Sequence, residues 1–433
     1  MLNCHKEEKT MTRQILFSLW AFLATALVPL GQALAAQEVV IGVLYPLSGP
    51  VAQVGIDAVA AVKTGVEIIN EDVKLNVPLG PGKGLTGLGG ATVRVVVVDH
   101  QGKPEVGQGE AERLITQEKV HALYGAYYSS VTQAASQVAE RFQVPFVNGE
   151  SSSPKLTTRG FKWFFRTGPH DGTFNALMFD FMKDFQKKKG VNLDSVAILH
   201  EDTLWGTDSG SGQVELAKNA GYKVLEKISY RAKTTSLTSE VQRLKAASPD
   251  VFLPSSYTSD AMLFMRTAKE LDYNPKLFIA QNAGYTDPTF LETMGKKADG
   301  VITRSPYNDD LGKNIPLIQD VNERFKKHSN GRDLSDVPVR AFTGFMTLMD
   351  AINRAGSTDP EKIRQALVDT NIPGDKLLVP WKGIKFGADG QNVHAQGILM
   401  QVQKGKYCTI YPFQVASCDV LYPMPSWKEK AKM

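Results

Sequence analysis

Cysteine is scarce in this chain: three residues in 433, at positions 4, 408 and 418. That excludes a disulfide-framed miniature fold, and two late cysteines without neighbouring histidines make a poor zinc site. Histidine is equally thin. The seven lie at 5, 100, 121, 170, 200, 328 and 394, and no two stand at the i, i+4 spacing that puts two metal ligands on one helix face. His200-Glu201-Asp202 reads either as a cation ligand set or as a solvated loop. No Gly-x-Ser-x-Gly elbow occurs, so a hydrolase serine lacks its usual strained turn. A net charge of +4 with no Lys/Arg-dense stripe argues against nucleic acid. Gly82-Lys83-Gly84-Leu85-Thr86-Gly87 has the letters of a dinucleotide fingerprint, yet it precedes a strand in a Gly/Pro loop, where the fingerprint needs a strand before it and a helix after.

What is present is ordinary globular material, 42% hydrophobic and 22% charged, enough for two cores. The first 36 residues differ from the rest. Lys9 and Arg13 precede an apolar run from Ile15 to Leu30, and Ala33-Leu34-Ala35-Ala36 follows it. A basic start, an apolar middle and a small-x-small end predict a secretory signal peptide over 1–36, with initiation at Met11 as the alternative start. The run is short for a membrane span of roughly 20 residues. No later run is longer, so the mature chain is expected to be exported, soluble and periplasmic. Cys4 leaves with the leader. Cys408 and Cys418 then form an even pair, read as one disulfide or as two free thiols.

From Glu38 the chain alternates strand and helix. Glu38–Leu44, Thr92–Val98, Val120–Gly125 and Pro145–Val147 are predicted strands, with helices over Ala52–Asn70 and Pro104–Glu118 between them. This alternation predicts a parallel, two-sided sheet. Phe161–Arg166 reads as a short extended aromatic segment, followed by Gly168-Pro169 as a chain crossing. A second series then starts: helix Thr173–Lys188, strand Val196–His200, helix Gly206–Ala220, strand Tyr222–Ile228, helix Ser239–Ala247, strand Val251–Pro254, helix Ser259–Leu271 and strand Leu277–Ala280. Thr303–Pro306 reads as a return crossing, followed by helices Pro316–His328, Arg340–Ala355 and Pro360–Val368. Trp381–Phe386 and Gly397–Val402 read as a closing hairpin, with Lys406–Tyr411 after it. The fold class is α/β: two doubly wound parallel-sheet lobes joined by a multi-strand hinge. Lobe 1 is expected from 37–167 plus 305–372, and lobe 2 from 168–304 plus 373–433.

The stretch Val120–Ser153 carries the candidate site. Ser129, Ser130 and Thr132 follow one strand and Ser151–Ser153 follow the next, so two hydroxyl clusters lie beyond the carboxyl ends of adjacent parallel strands. Ligands bind at that edge of open α/β sheets, and free amides at helix N-termini there favour a carboxylate. A serine in such a place also serves as a plain helix cap. Trp205 and Tyr257 follow strands of the second series in the same way. There they can either cover a ligand across the cleft or pack at its rim.

The order Leu47-Ser48-Gly49-Pro50-Val51-Ala52-Gln53, Ser129-Ser130 with Thr132-Gln133, and Ser151-Ser152-Ser153-Pro154-Lys155-Leu156-Thr157 through Arg159-Gly160 to Phe165-Arg166 resembles one family. With the Trp205-Gly206 turn and the terminal Tyr422-Pro423-Met424-Pro425, it is similar to the periplasmic solute-binding proteins of branched-chain amino acid and amide uptake systems. The resemblance implies the type I periplasmic binding protein fold and a non-catalytic receptor. Such a receptor closes on a small amino acid, amide or related carboxylate and delivers it to a membrane ABC permease. No cofactor and no metal is implied, and a monomer is expected. Carried over by position, Ser129, Ser151 and Ser152 would hold the ligand carboxylate and Trp205 and Tyr257 would cover it. Asp171 falls where the family often has an acid.

Two departures stand out. Amino-acid binders of the family carry an acid just before the glycine matching Gly284, and this chain has Ala283 there, within Gln281-Asn282-Ala283-Gly284. The first-lobe pocket aromatic is replaced by Val54. Glu150 stands where a small residue is usual. A buried carboxylate without a partner is costly, so Glu150 is expected either to face a donor-bearing ligand in the cleft or to turn to solvent. Two rival functions share the frame: a ligand sensor for a signalling partner, and an exported hydrolase using Ser129 or Ser152.

Overall fold

The computed structural model describes residues 38–313 and 315–432, and the expected signal peptide at 1–36 lies outside them. The chain opens with strand β1 (Glu38–Tyr45) and helix α1 (Ala52–Asn70), then β2 (Thr92–Asp99) and α2 (Pro104–Thr116). Next come β3 (Ala122–Gly125), α3 (Ser129–Phe142), β4 (Phe146–Asn148) and β5 (Phe164–Arg166). These strands form one all-parallel sheet in the order β2-β1-β3-β4-β5. β1, β3 and β4 are buried on both faces, as a sheet covered by helices on both sides requires.

The second series runs α4 (Asp171–Lys189), β6 (Ser195–Glu201), α5 (Leu204–Asn219), β7 (Lys223–Tyr230), α6 (Thr238–Ala247), β8 (Val251–Ser255), α7 (Thr258–Glu270), β9 (Leu277–Ala280), α8 (Pro288–Met294) and β10 (Val301–Ser305). The short α9 (Asp309–Gly312), then α10 (Pro316–His328), α11 (Asp336–Ala355) and α12 (Pro360–Val368) follow. The remaining elements are β11 (Asn371–Pro373), β12 (Gly383–Lys385), β13 (Ile398–Gln403), β14 (Lys406–Tyr411) and α13 (Trp427–Lys430). The second sheet has the order β14-β13-β10-β9-β8-β6-β7. β6 to β10 are parallel, while β13 and β14 run antiparallel at one edge. Its side chains alternate between two cores. Ala197, Leu199, Phe252, Phe278 and Ala280 enter one cluster, and Val196, Ile198, Val251, Leu253, Leu277 and Ile279 the other.

Several expectations about the second half are corrected. Thr303–Pro306 is no crossing throughout: Val301–Ser305 is a strand beside β9, and the crossing begins after it. The closing hairpin pairs otherwise: β12 meets β11, and β13 meets β14 across a turn at Lys404-Gly405. Helix α11 starts at Asp336, a turn before the predicted Arg340. The segment after Pro373, expected with lobe 2, packs with lobe 1 through Leu377, Leu378, Val379, Trp381, Ile384 and Phe386. Asp310, expected with lobe 1, instead receives Thr409 and Ser417 of the second.

The chain passes between the lobes after β5, between β10 and α10, and between β12 and β13. The first and last passages are tied together. Arg166 N–H donates to Gly390 O at 2.8 Å, Asn392 N–H donates to Arg166 O at 2.9 Å, and Gln391 Nε2 donates to Gly168 O at 2.9 Å. Cys408 of β14 forms a disulfide with Cys418. Among the described residues no helix is long and apolar enough to cross a membrane.

Candidate functional site

β3 ends at Gly125 because the chain must bend there. Its φ is +132°, and a Cβ would sit 2.2 Å from Leu44 O. The bend sends Tyr127 and Tyr128 toward the second lobe and starts α3 at Ser129. Tyr128 is the residue that precedes the helix, and no side chain caps it. The Ser129 hydroxyl is therefore not spent on its own helix; it accepts from Ser153 N–H at 3.3 Å, which joins the two serine turns.

Ser129, Glu150, Ser152, Trp205, Tyr257 and Asn282 converge on one cavity of about 10 Å³ between the sheets, and Tyr127, Ala283 and Arg340 complete its wall. That is room for about one water. The lobes are closed on each other. Tyr257 lies 4.5 Å from Tyr128, 5.9 Å from Tyr127 and 4.8 Å from Trp205, ring centre to ring centre. Trp205, Tyr257 and Ala283 of the second lobe thereby join the core of the first. Within the second lobe, Gly284 lets the turn after β9 pack on the Tyr257 backbone, since a Cβ there would stand 2.6 Å from the Tyr257 carbonyl carbon.

The other predicted residues lie elsewhere. Ser130 lines a separate pocket of about 210 Å³ at the cleft edge, with Thr203, Lys233 and Asp260. Ser151 turns inward. Its hydroxyl meets Thr132 Oγ1 at 2.6 Å and Tyr127 O at 2.9 Å, and its amide donates to Asn148. Asp171 and Gln281 are partners of Arg304. The guanidinium donates from Nε to Gln281 at 2.6 Å and from Nη2 to Asp171 at 2.8 Å and Ser152 at 3.2 Å, over the Phe174 ring at 3.6 Å. Burial pushes the Asp171 carboxyl up to about 6, against the pull of Arg304.

Glu150 is 4% exposed, so it does not turn to solvent. Its Oε1 accepts from Tyr45 Oη at 2.9 Å and Tyr124 Oη at 3.4 Å, while Oε2 has no hydrogen-bond partner among the described residues. Burial pushes this carboxyl up to about 7, and Arg340 opposes that shift. Arg340 holds the Glu150 carbonyl through Nη1 at 2.8 Å. The Tyr127 hydroxyl is also buried without a partner among the described residues.

Sequence reasoning did not single out Arg340, Arg304 or Tyr127. Tyr127 lies within the stretch Val120–Ser153, and Arg304 stands two residues after Val301-Ile302 in a strand whose five residues are all buried. Nothing local marks Arg340, which reaches Glu150 from 190 positions away.

His200 and Glu201 form no cation site: His200 Nδ1 faces Glu201 O at 2.9 Å, and Glu201 Oε1 accepts from Thr203 Oγ1 and Gly206 N–H, each at 2.7 Å. Neither candidate nucleophile bonds to a histidine among the described residues: the Ser129 hydroxyl accepts from Ser153 N–H, and the Ser152 hydroxyl accepts from Arg304.

Known proteins share this fold. "Leu/Ile/Val-binding protein homolog 7" of Brucella abortus is 29% identical over 412 residues, covering 93% of this chain and 98% of that one. The leucine-binding protein LivK of Thermotoga maritima superposes with a TM-score of 0.73 at 21% identity, covering 87% of this chain and all of that one. An ABC-transporter solute-binding protein of R. palustris in complex with benzoate does so with a TM-score of 0.72 at 16% identity, covering 90% and 98%. At these identities the two solved structures speak for the fold. The family model described as "Periplasmic binding protein" matches residues 38–406, through both lobes and all three passages between them, and this chain belongs to that family.

Proposed function

We propose that the protein is an exported receptor that captures a small amino acid, amide or related carboxylate between its lobes and hands it to an ABC importer. The observation that carries this reading is Glu150, which lines the cavity and whose buried Oε2 has no hydrogen-bond partner among the described residues. A buried acceptor of that kind is stabilised by a ligand that brings an ammonium or amide N–H. Ala283 leaves the second lobe without an acid at this point, and Glu150 supplies one from the first. The Ser129 and Ser152 hydroxyls and the first turn of α3 suit the carboxylate end, and Trp205 and Tyr257 suit an apolar body. The cavity must widen to admit any of these. The parting and closing of two lobes about three passages gives the means, since ligand touching both walls favours the closed form. The leader expected at 1–36 supports export. The names of relatives that bind leucine or benzoate support a small carboxylate as the common element.

Calorimetric titration of the mature chain with a panel of amino acids, amides and aromatic acids tests the assignment. Saturable binding to a nitrogen-bearing member, with the compound recovered intact, is expected. Silence across the panel, or turnover of the compound, would overturn it. Loss of uptake on deletion of the gene tests delivery.

A further inference from the structure

Two carboxylates flank the cavity, one from each lobe, and each is held by donors of the opposite lobe. Asp336, in the first turn of α11, is 3% exposed. Its Oδ2 accepts from Asn282 Nδ2 at 2.8 Å and Thr286 Oγ1 at 2.9 Å, both on the second lobe. Its Oδ1 lies 2.8 Å from Arg340 Nε, one helical turn along. Asp208, in α5, reverses the arrangement. It accepts from Ser153 Oγ at 2.5 Å and pairs with Lys155 Nζ at 2.7 Å, both on the first lobe, and its side chain is 7% exposed. Neither aspartate belongs to the wall of the ligand cavity.

We propose that Asp336 and Asp208 are positioning residues for capture: a reciprocal clamp that draws the two walls together before a ligand contributes any contact. Hydrogen bonds act over about 3 Å, so both sets of contacts exist only when the lobes meet. On opening, Asp208 loses Ser153 and Lys155, and Asp336 keeps Arg340 alone. The clamp therefore raises the closed population of the ligand-free protein. A ligand acting on a chain that already samples closure needs less differential affinity to complete it, and its apparent affinity rises with the closed fraction.

The inference builds on the proposed cleft receptor, but its test needs no ligand. Small-angle scattering of the ligand-free mature protein is compared for wild type, Asp208→Ala, the Ser153→Ala/Lys155→Ala pair and Asp336→Ala, with circular dichroism to establish folding. A closed wild type and a larger radius of gyration in the folded variants are expected. An open ligand-free wild type, or variants that scatter as the wild type does, would overturn the clamp. If Asp336→Ala does not fold, Thr286→Val reports on the same contact. Should the calorimetric panel bind nothing while the variants open, the clamp stands and the ligand assignment falls. Binding without any change in scattering upholds the ligand assignment and removes the clamp.

Discussion

Tyr45, the last residue of β1, donates its hydroxyl to Glu150 Oε1 across 2.9 Å, over 105 positions of sequence. The first strand thus fixes the orientation of the acid that follows the fourth. One carboxylate oxygen is committed to the protein, and the other is buried with no hydrogen-bond partner among the described residues.

Replacing Glu150 with Gln is expected to weaken binding of a nitrogen-bearing ligand more than tenfold, about 1.4 kcal/mol. Calorimetry on the ligand found in the panel reads this directly. Unchanged affinity would remove Glu150 from the binding surface.

The same substitution carries a pH signature in the ligand-free protein. Burial raises the Glu150 carboxyl from 4.5 to about 7, so the folded state keeps this proton after the unfolded chain has lost it. The group's contribution to stability is whole below its unfolded value and is lost as the pH rises through about 7. Melting temperatures between pH 5 and 8 should show Glu150→Gln gaining on the wild type as pH increases. A constant difference would mean that the carboxyl titrates normally.

Arg304 and Asp171 are both buried, at 2.8 Å. Removing the cation alone, in Arg304→Met, leaves Asp171 without its charge partner and should cost about 3–5 kcal/mol in denaturant unfolding. The double variant with Asp171→Asn should recover much of that loss. Additive losses would show that the pair does not act as a unit.

The Cys408–Cys418 bridge closes a short loop at the edge of the second sheet. Chain entropy for a loop of this length gives about 3 kcal/mol. Cys408→Ser/Cys418→Ser should lower the unfolding free energy by that order and leave ligand affinity unchanged, since the bridge lies outside the cavity wall.

Trp205 is 3% exposed, wedged against Tyr257. Opening the lobes wets its indole, so ligand addition to an opened clamp variant should shift emission to the blue. Trp205→Phe should abolish that shift while the other tryptophans still emit.

The alternation of strands and helices was legible in the sequence because parallel sheets buried on both faces write continuous apolar runs, as in Val251–Pro254. The serine turns were legible because they end such runs. Trp381–Phe386 was mispaired because its true partner is a three-residue strand ending in Pro373, a residue that argues against any strand. Ser130 and Ser151 could not be separated from Ser129 and Ser152 by composition. Which hydroxyl reaches the cavity depends on the bend at Gly125, a backbone property the letters show only as glycine. Arg340 opens a predicted helix, and its contact with the Glu150 turn follows from how α11 lies against β4, which no local pattern encodes.

Arg166 joins the site to the hinge. Its Nη1 donates to Ser151 O at 3.1 Å and Ser153 O at 2.7 Å, and its Nε donates to Gln391 at 2.6 Å on the returning passage. One planar cation therefore grips both the second serine turn and the returning passage between the lobes. A movement of that passage is therefore felt at the turn whose Ser152 lines the cavity, so the travel of the lobes and the shape of the space between them are mechanically linked.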